Sequence, residues 1–351
     1  MKRLYTGLLL VLILGVLVAG CAQQSPTGTS EKPIELKLAT FQPPPTFFVK
    51  DLYGPWAKEI EERSQGRIKI TIWPGGSLGK VEDQYALVLS RQADISVVDL
   101  GTIPGVFPLS EAISLPLLFN STEAANGTWW ELTEKYLLDT EFSKVHVLYH
   151  SCVAPMQIIT SDKQISTLQD FQGVKIGCPT ESAVLAFGKL GAVPVYMPIT
   201  DLYTGIERGL LDGASVPWEA MFAFRFNEIT KYRTQADLFT PTISLFMNAD
   251  TWKSLPPDLQ QLFNETGGLQ GSIIAGRKFD EVSIKLEEDL RDYDKQKGNP
   301  DIYIPPDAER TKWSNAVTPL YEEWITQKES EGLPARSFFN DLKEIAAKYN
   351  K

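Results

Sequence analysis

A chain of 351 residues, 43% of them hydrophobic and 11% aromatic, exceeds what one core usually organises, so two lobes are expected. Its formal net charge of −10 deepens once a leader carrying Lys2 and Arg3 is removed, and no Lys/Arg block with interleaved aromatics stands anywhere. A phosphate-backbone binder is excluded on that ground and nucleic acid is not an expected partner; two histidines and three cysteines leave little for metal or nucleophile chemistry.

The N-terminus reads as an export signal: Lys2 and Arg3, an apolar run from Leu8 to Val18 broken only by Gly15, then Ala19, Gly20 and Cys21. The run is too short and too early to span a membrane ahead of a soluble domain. Its end, Val18-Ala19-Gly20-Cys21, resembles the lipobox of bacterial lipoproteins. That resemblance implies a signal over residues 1–20, lipid on Cys21, and an extracytoplasmic protein anchored to a membrane. Residues 21–33, rich in Gln, Ser, Thr, Gly and Pro, offer nothing to bury and read as a flexible tether.

Strands and helices then alternate, which predicts α/β layers. Ile34 to Thr40 reads as a strand. Thr46 is placed to cap a helix whose stripe is Phe48, Leu52, Trp56 and Ile60. Strands follow at Arg67 to Trp73 and Ile95 to Asp99, with a helix at Lys80 to Arg91 between them. His146 to Ser161 is β-like and interrupted by Pro155. His146 and His150 share one strand face, and with no Cys/His/Asp cluster nearby a structural role is the simpler reading of both. Val174 to Cys178 is a strand, and Thr180 caps the helix after it. Val193 to Met197 and Ala214 to Val216 are strands around a short helix. Leu238 to Asn248 is β-rich and long enough to cross between lobes. Asp258 to Lys297 is helical with a bend or break expected at Gly267, Gly268 and Gly271. Trp313, Val317, Leu320 and Trp324 stripe another helix, and Phe338, Leu342, Ile345 and Tyr349 the last. Cys152 and Cys178 either pair in an oxidising compartment or stay two buried thiols.

Five short segments in order resemble the extracytoplasmic binding subunits of tripartite ATP-independent periplasmic (TRAP) transporters. They are Trp73-Pro-Gly-Gly-Ser-Leu-Gly79, Ile113-Ser-Leu-Pro-Leu-Leu-Phe119, Leu168-Gln-Asp-Phe-Gln-Gly-Val-Lys-Ile176 with Pro179, Gly209-Leu-Leu-Asp-Gly213 with Pro217, and Trp252 with Leu255-Pro256-Pro257. The resemblance implies a two-lobed periplasmic-binding-protein fold: two mixed sheets flanked by helices, crossing strands, and a long helix spanning the hinge. Lobe I is expected over 34–155 plus about 246–290, and lobe II over 156–245 plus about 291–351. A small organic solute would close between the lobes and pass to a TRAP-type permease in the membrane, with no catalysis.

The family holds an organic acid through an Arg after "Lys-Ile". Here that position is Gly177, in Lys175-Ile176-Gly177-Cys178-Pro179, and the strand around Gln157 supplies no second cation. The side chains expected around the ligand are Phe41, Thr46, Asp99, Tyr149, Gln157, Gly177, Cys178, Glu181, Trp218 and Glu219. A cleft of aromatics and acids implies a neutral aromatic ligand, a cation, or an acid bridged by calcium or sodium on Glu219 and Asp99. Two other functions fit the same residues. One is a ligand-sensing lipoprotein; the other is an exported hydrolase or lyase using Glu181 and Glu219 as an acid–base pair.

Overall fold

Strand β1 (Ile34–Ala39) buries Leu36 and Leu38 and lies parallel to β2 (Ile68–Trp73), with Ile34 opposite Ile68 and Ala39 opposite Trp73. The computed structural model describes residues 32–44 and 46–350, and the expected signal, tether and Cys21 lie outside them. The chain leaves β1 through a turn of wide i→i+5 helix (Phe48–Tyr53) that continues as α1 (Gly54–Arg63). Pro55 explains the wide turn, since it has no N–H to give to Asp51; the free Asp51 carbonyl accepts from Lys278 Nζ at 3.1 Å instead. Thr46 does not cap this helix: its hydroxyl turns back to the Pro43 carbonyl at 2.6 Å.

After α2 (Gln84–Leu89), strand β3 (Ile95–Asp99) is buried throughout and pairs with β1. Helix α3 (Thr122–Leu132), capped by the Ser121 hydroxyl, carries no strong sequence pattern and was not among the expected helices. Strand β4 (Val145–His150) ends at the first crossing, and β5 (Gln157–Thr160) opens the second sheet, so Pro155 falls between the sheets, where no ladder needs its N–H. There follow β6 (Lys175–Cys178), α4 (Glu181–Lys189), β7 (Val193–Tyr196), α5 (Ile199–Glu207), β8 (Gly213–Val216), α6 (Trp218–Ala223) and β9 (Tyr232–Thr234). The chain then crosses back and forms β10 (Ile243–Asn248), antiparallel to both β3 and β4.

The two five-stranded sheets run β2-β1-β3-β10-β4 and β7-β6-β8-β5-β9. Each is mixed, with parallel βαβ units and one antiparallel intruder from the crossing segments. This is the expected two-lobed class. Helices α7 (Ala249–Ser254) and α8 (Pro257–Thr266) lead into α9 (Gly268–Lys297), about 45 Å long at 1.5 Å per residue. The expected break falls at Gly267, where a side chain would strike the Leu148 carbonyl at 2.4 Å, while Gly271 continues the helix. Helix α9 packs on α3 and β4 at one end. At the other it contributes Leu290 to the second lobe's core, and Asp294 to a fully buried ion pair with Arg233 of β9 (3.1 Å). Helices α10 (Asp307–Val317) and α11 (Leu320–Ser330) share the expected stripe but are two pieces, divided before Leu320 by Pro319. The last helix, α12 (Ala335–Tyr349), lies against α3.

Both histidines are structural. His150 stacks on Trp129 (centroids 3.7 Å apart) between the hydroxyls of Thr133 and Ser244, and His146 stacks on Trp252 at 3.5 Å. Cys152 and Cys178 are unpaired, buried thiols.

Candidate functional site

The carboxyl ends of β1 and β3 and the N-terminal ends of α4, α5 and α6 converge where the sheets face each other, the place where open α/β sheets hold ligands. Phe41 and Gln42 follow β1, and Asp99 ends β3. Val153 and Met156 come from the first crossing, Pro241 and Ile243 from the return. From the opposite side come Pro179 and Thr180 before α4, Ile199 at the start of α5, and Pro217, Ala220 and Phe224 around α6. With Phe48, these residues line a cavity of about 450 Å³, including the space at its mouth.

The walls are apolar apart from Gln42, Asp99 and Thr180, and among the described residues none of those lining the cavity is cationic. Thr180 is engaged, its hydroxyl accepting the Ala183 N–H as the cap of α4 (3.3 Å). Gln42 is 1% exposed; its Oε1 accepts from the Thr40 hydroxyl, and its Nε2 is buried with no hydrogen-bond partner. The Tyr53 hydroxyl stands beside Gln42 and Ser151, outside hydrogen-bonding geometry with either, and burial raises its pKa. Asp99 is 8% exposed and accepts the Gly101 N–H at 3.1 Å; burial lifts its carboxyl to about 7, against the pull of that single hydrogen bond.

The cavity is closed by contact between the lobes. A side-chain carbon at Gly101 would lie 2.7 Å from Thr180 Cγ2, so the loop after β3 rests directly on the cap of α4. The Tyr196 hydroxyl reaches the Thr102 carbonyl at 3.4 Å. Beyond this contact lies a wider groove of about 1300 Å³, bordered by Glu111, Glu181, Leu185, Trp324 and Lys328; Lys328 is already paired with Glu111 at 2.8 Å and with Glu331.

Of the ten side chains expected at the ligand, Phe41 and Asp99 border the cavity. Glu181 is exposed on the outer groove. Thr46 is half-buried on the loop to α1. Tyr149 packs edge-on against Trp56 (5.5 Å) in the first lobe's core, and its hydroxyl has no partner. Gln157 is used up by the return strand, accepting from the N–H groups of Ala236 and Asp237 and donating to the Asp237 carboxylate. Gly177 stands apart: a side chain there would meet Leu202 at 2.4 Å and Leu211 at 2.7 Å, so it points at α5 and not at the ligand. Cys178 gives its thiol to the Ile176 carbonyl, and burial pushes its pKa up to about 12. Trp218 belongs to the second lobe's core, and its neighbours Pro217 and Ala220 reach the cavity in its place.

Glu219 is 3% exposed, with one oxygen accepting the Ala154 N–H (3.2 Å) and the other buried without a partner; burial raises it to about 7. It does not border the cavity with Asp99, and among the described residues no group of three or more His, Cys, Asp or Glu is placed to hold a metal ion. Asp99 and Glu219 therefore do not face one shared space, as a cation bridged between the two would require. The other twelve lining residues were missed, and three of them, Gln42, Thr180 and Pro217, each stand beside one that was expected.

A family model described as bacterial extracellular solute-binding protein, family 7, matches residues 38–328. A TRAP solute-binding protein from Rhodoferax ferrireducens, solved in complex with copurified benzoate, is 28% identical with a TM-score of 0.85 over 90% of this chain and 98% of that one. A marine metagenome TRAP solute-binding protein specific for aromatic acid ligands, in complex with 3-hydroxybenzoate, is 28% identical with a TM-score of 0.86 over 92% and 100%. The C4-dicarboxylate-binding periplasmic protein DctP of Rhodobacter capsulatus is 24% identical, over 80% of this chain and 85% of its own.

Proposed function

Since the chain belongs to the DctP family, family 7 of the bacterial extracellular solute-binding proteins, we propose that its interlobe cavity captures a small aromatic acid for delivery to a membrane permease. The chain is a solute-binding receptor of the TRAP type and works outside the cytoplasm. The aromatic class rests on the cavity: it is walled by Phe41, Phe48, Phe224 and aliphatic side chains, with polar groups at Gln42, Asp99 and Thr180 alone. A dicarboxylate would bring a second charge with no cation in the lining to meet it, and a sugar acid would bury hydroxyls that these walls leave unpaired, at about 1–3 kcal/mol each. The likeness to receptors that hold benzoate and 3-hydroxybenzoate supports the same class. We take the first sheet with its helices as lobe I, the second as lobe II, and residues 151–156 and 235–242 as the crossings between them.

The acid–base pair of the enzyme reading draws no support from the geometry, because Glu181 is exposed on the outer groove while Glu219 is buried behind the crossing. Titration calorimetry with benzoate, 3-hydroxybenzoate and mandelate, set against succinate and galacturonate, tests the ligand class. Aromatic acids are expected to bind at micromolar concentration or below. A dicarboxylate or sugar acid binding more tightly than every aromatic acid would end the aromatic reading.

The lipid anchor is a proposal from sequence, carried by the leader and by Cys21. Cys21→Ser is expected to move the protein from the membrane to the soluble fraction or to leave its leader uncleaved; membrane retention of the variant after cleavage of its leader would refute the anchor.

A further inference from the structure

The site lacks the cation that a carboxylate normally demands, and three features stand in its place. The first is backbone. Helices α4 and α5, nine residues each, both begin at the cavity, with Thr180 the cap of one and Ile199 the first residue of the other. The first N–H groups of a helix have no partner within it, and its N-terminal end carries a partial positive charge. The second is Gln42, which borders the same cavity and whose buried Nε2 has no hydrogen-bond partner, the Tyr53 hydroxyl beside its amide being also unpaired. A buried donor left unmatched in a protein interior is costly, and a ligand oxygen is what would match it. The third is Asp99, the one carboxyl bordering the cavity, with a single hydrogen bond of its own.

Resting on the aromatic-acid reading above, we propose that the ligand carboxylate is held without arginine, by the N-terminal ends of α4 and α5 and the Gln42 carboxamide, while Asp99 takes up a proton from solvent as the ligand enters. Two carboxylates a few ångströms apart in a dry cavity cannot both stay ionised. One proton between them turns repulsion into a charge-assisted O–H···O hydrogen bond. Asp99 is the natural holder, since its burial already favours the neutral form near pH 7. The groups near it leave it alone to titrate. The Cys152 thiol and the Tyr196 phenol are both raised and stay neutral at that pH, and Ile243 opposite it on β10 carries no charge. Glu82 and Glu181 act on Tyr196 from the outer side, and Glu219, which titrates in the same range, does not border the cavity.

The sign follows from proton uptake on binding: affinity is greatest at low pH and falls as pH rises past the value for free Asp99. Benzoate affinity, measured by calorimetry from pH 6 to 9, is expected to level off below pH 7 and to fall by close to tenfold per unit well above it. Titrations at pH 8 in buffers of different ionisation heat should show close to one proton taken up. Asp99→Asn, whose amide donates at every pH, should bind benzoate more tightly than wild type at pH 8.5 and lose the slope; Glu219→Gln should keep it. Gln42→Leu should weaken benzoate about tenfold at all pH values. An affinity flat from pH 6.5 to 8.5, no proton uptake, or a benzamide titration with the same slope would overturn the proton-sharing cradle while leaving the aromatic-acid receptor intact. Failure of every aromatic acid to bind at any pH would remove that reading and the inference together.

Discussion

Five buried or partly buried ionisable side chains pull the stability of the ligand-free protein in opposite directions. Asp99, Glu141 and Glu219 are each raised to about 7, chiefly by burial. His146 is lowered to about 4 and His150 well below its usual value, again by burial. A carboxyl raised in the folded state binds its proton more tightly there than in the unfolded chain. Its contribution is complete below its unfolded value near 4 and is lost as pH rises through 7. A buried neutral histidine acts the other way, losing stability as pH falls below about 6.5. Above pH 6.5 only the carboxyls remain. The unfolding free energy is therefore expected to fall between pH 6.5 and 8 by about 1 kcal/mol for each carboxyl, and the melting temperature with it. Scanning calorimetry of wild type, Asp99→Asn and Glu219→Gln should show each substitution flattening its share of the slope. A melting temperature constant or rising over that interval would show that these groups stay solvated in the folded chain.

At the level of elements, most of the architecture was legible because strands and helices bury with different periods. The apolar runs of β3 and β4, the Thr180 cap and the stripe through Trp313 and Trp324 each stand where the residues put them. Helix α3 was not legible. Its middle, Asn126-Gly127-Thr128, is small and polar because α9 and α12 press against it, a demand set by residues far along the chain. The site was legible in part. Phe41 and Asp99 sit at strand ends, where topology alone sends ligands. Gly177 misled because alternation along a strand tells which face a residue occupies but not what covers it. Leu202 and Leu211 fill the space that an arginine would need. Arg233 shows the same limit: nothing near it in sequence announces Asp294, its buried partner on α9. Gln42 stood beside an expected residue, yet only the Thr40 contact, which fixes its oxygen, reveals its nitrogen as the free group.

For the whole molecule, burial of the cavity has a mechanical consequence. Phe41, Asp99, Thr180 and Ile243 are all buried and, of the lining, only Ile199 and Phe224 are partly exposed, so the touching lobes restrict entry of a solute. Capture therefore favours a more open form, and the arrangement seen here is the closed one. A close point of that closure is Gly101 against Thr180, where even a single added carbon would fall 2.7 and 2.9 Å from the threonine's Cγ2 and Cβ. Gly101 lies on a loop at the lobe surface, so a larger residue there obstructs docking of the lobes rather than packing within either. Gly101→Val should leave the melting temperature of ligand-free protein close to wild type and lower benzoate affinity at least tenfold. Gly101→Ala should fall between, since Thr180 has only one carbon to yield to. Small-angle scattering separates closure from local damage. Saturating benzoate should shrink the radius of gyration of wild type, and the valine variant at saturation should keep its ligand-free value. If the valine variant contracts as wild type does and binds benzoate equally well, the lobes close by another route, and the Gly101–Thr180 contact is not what seals the cavity.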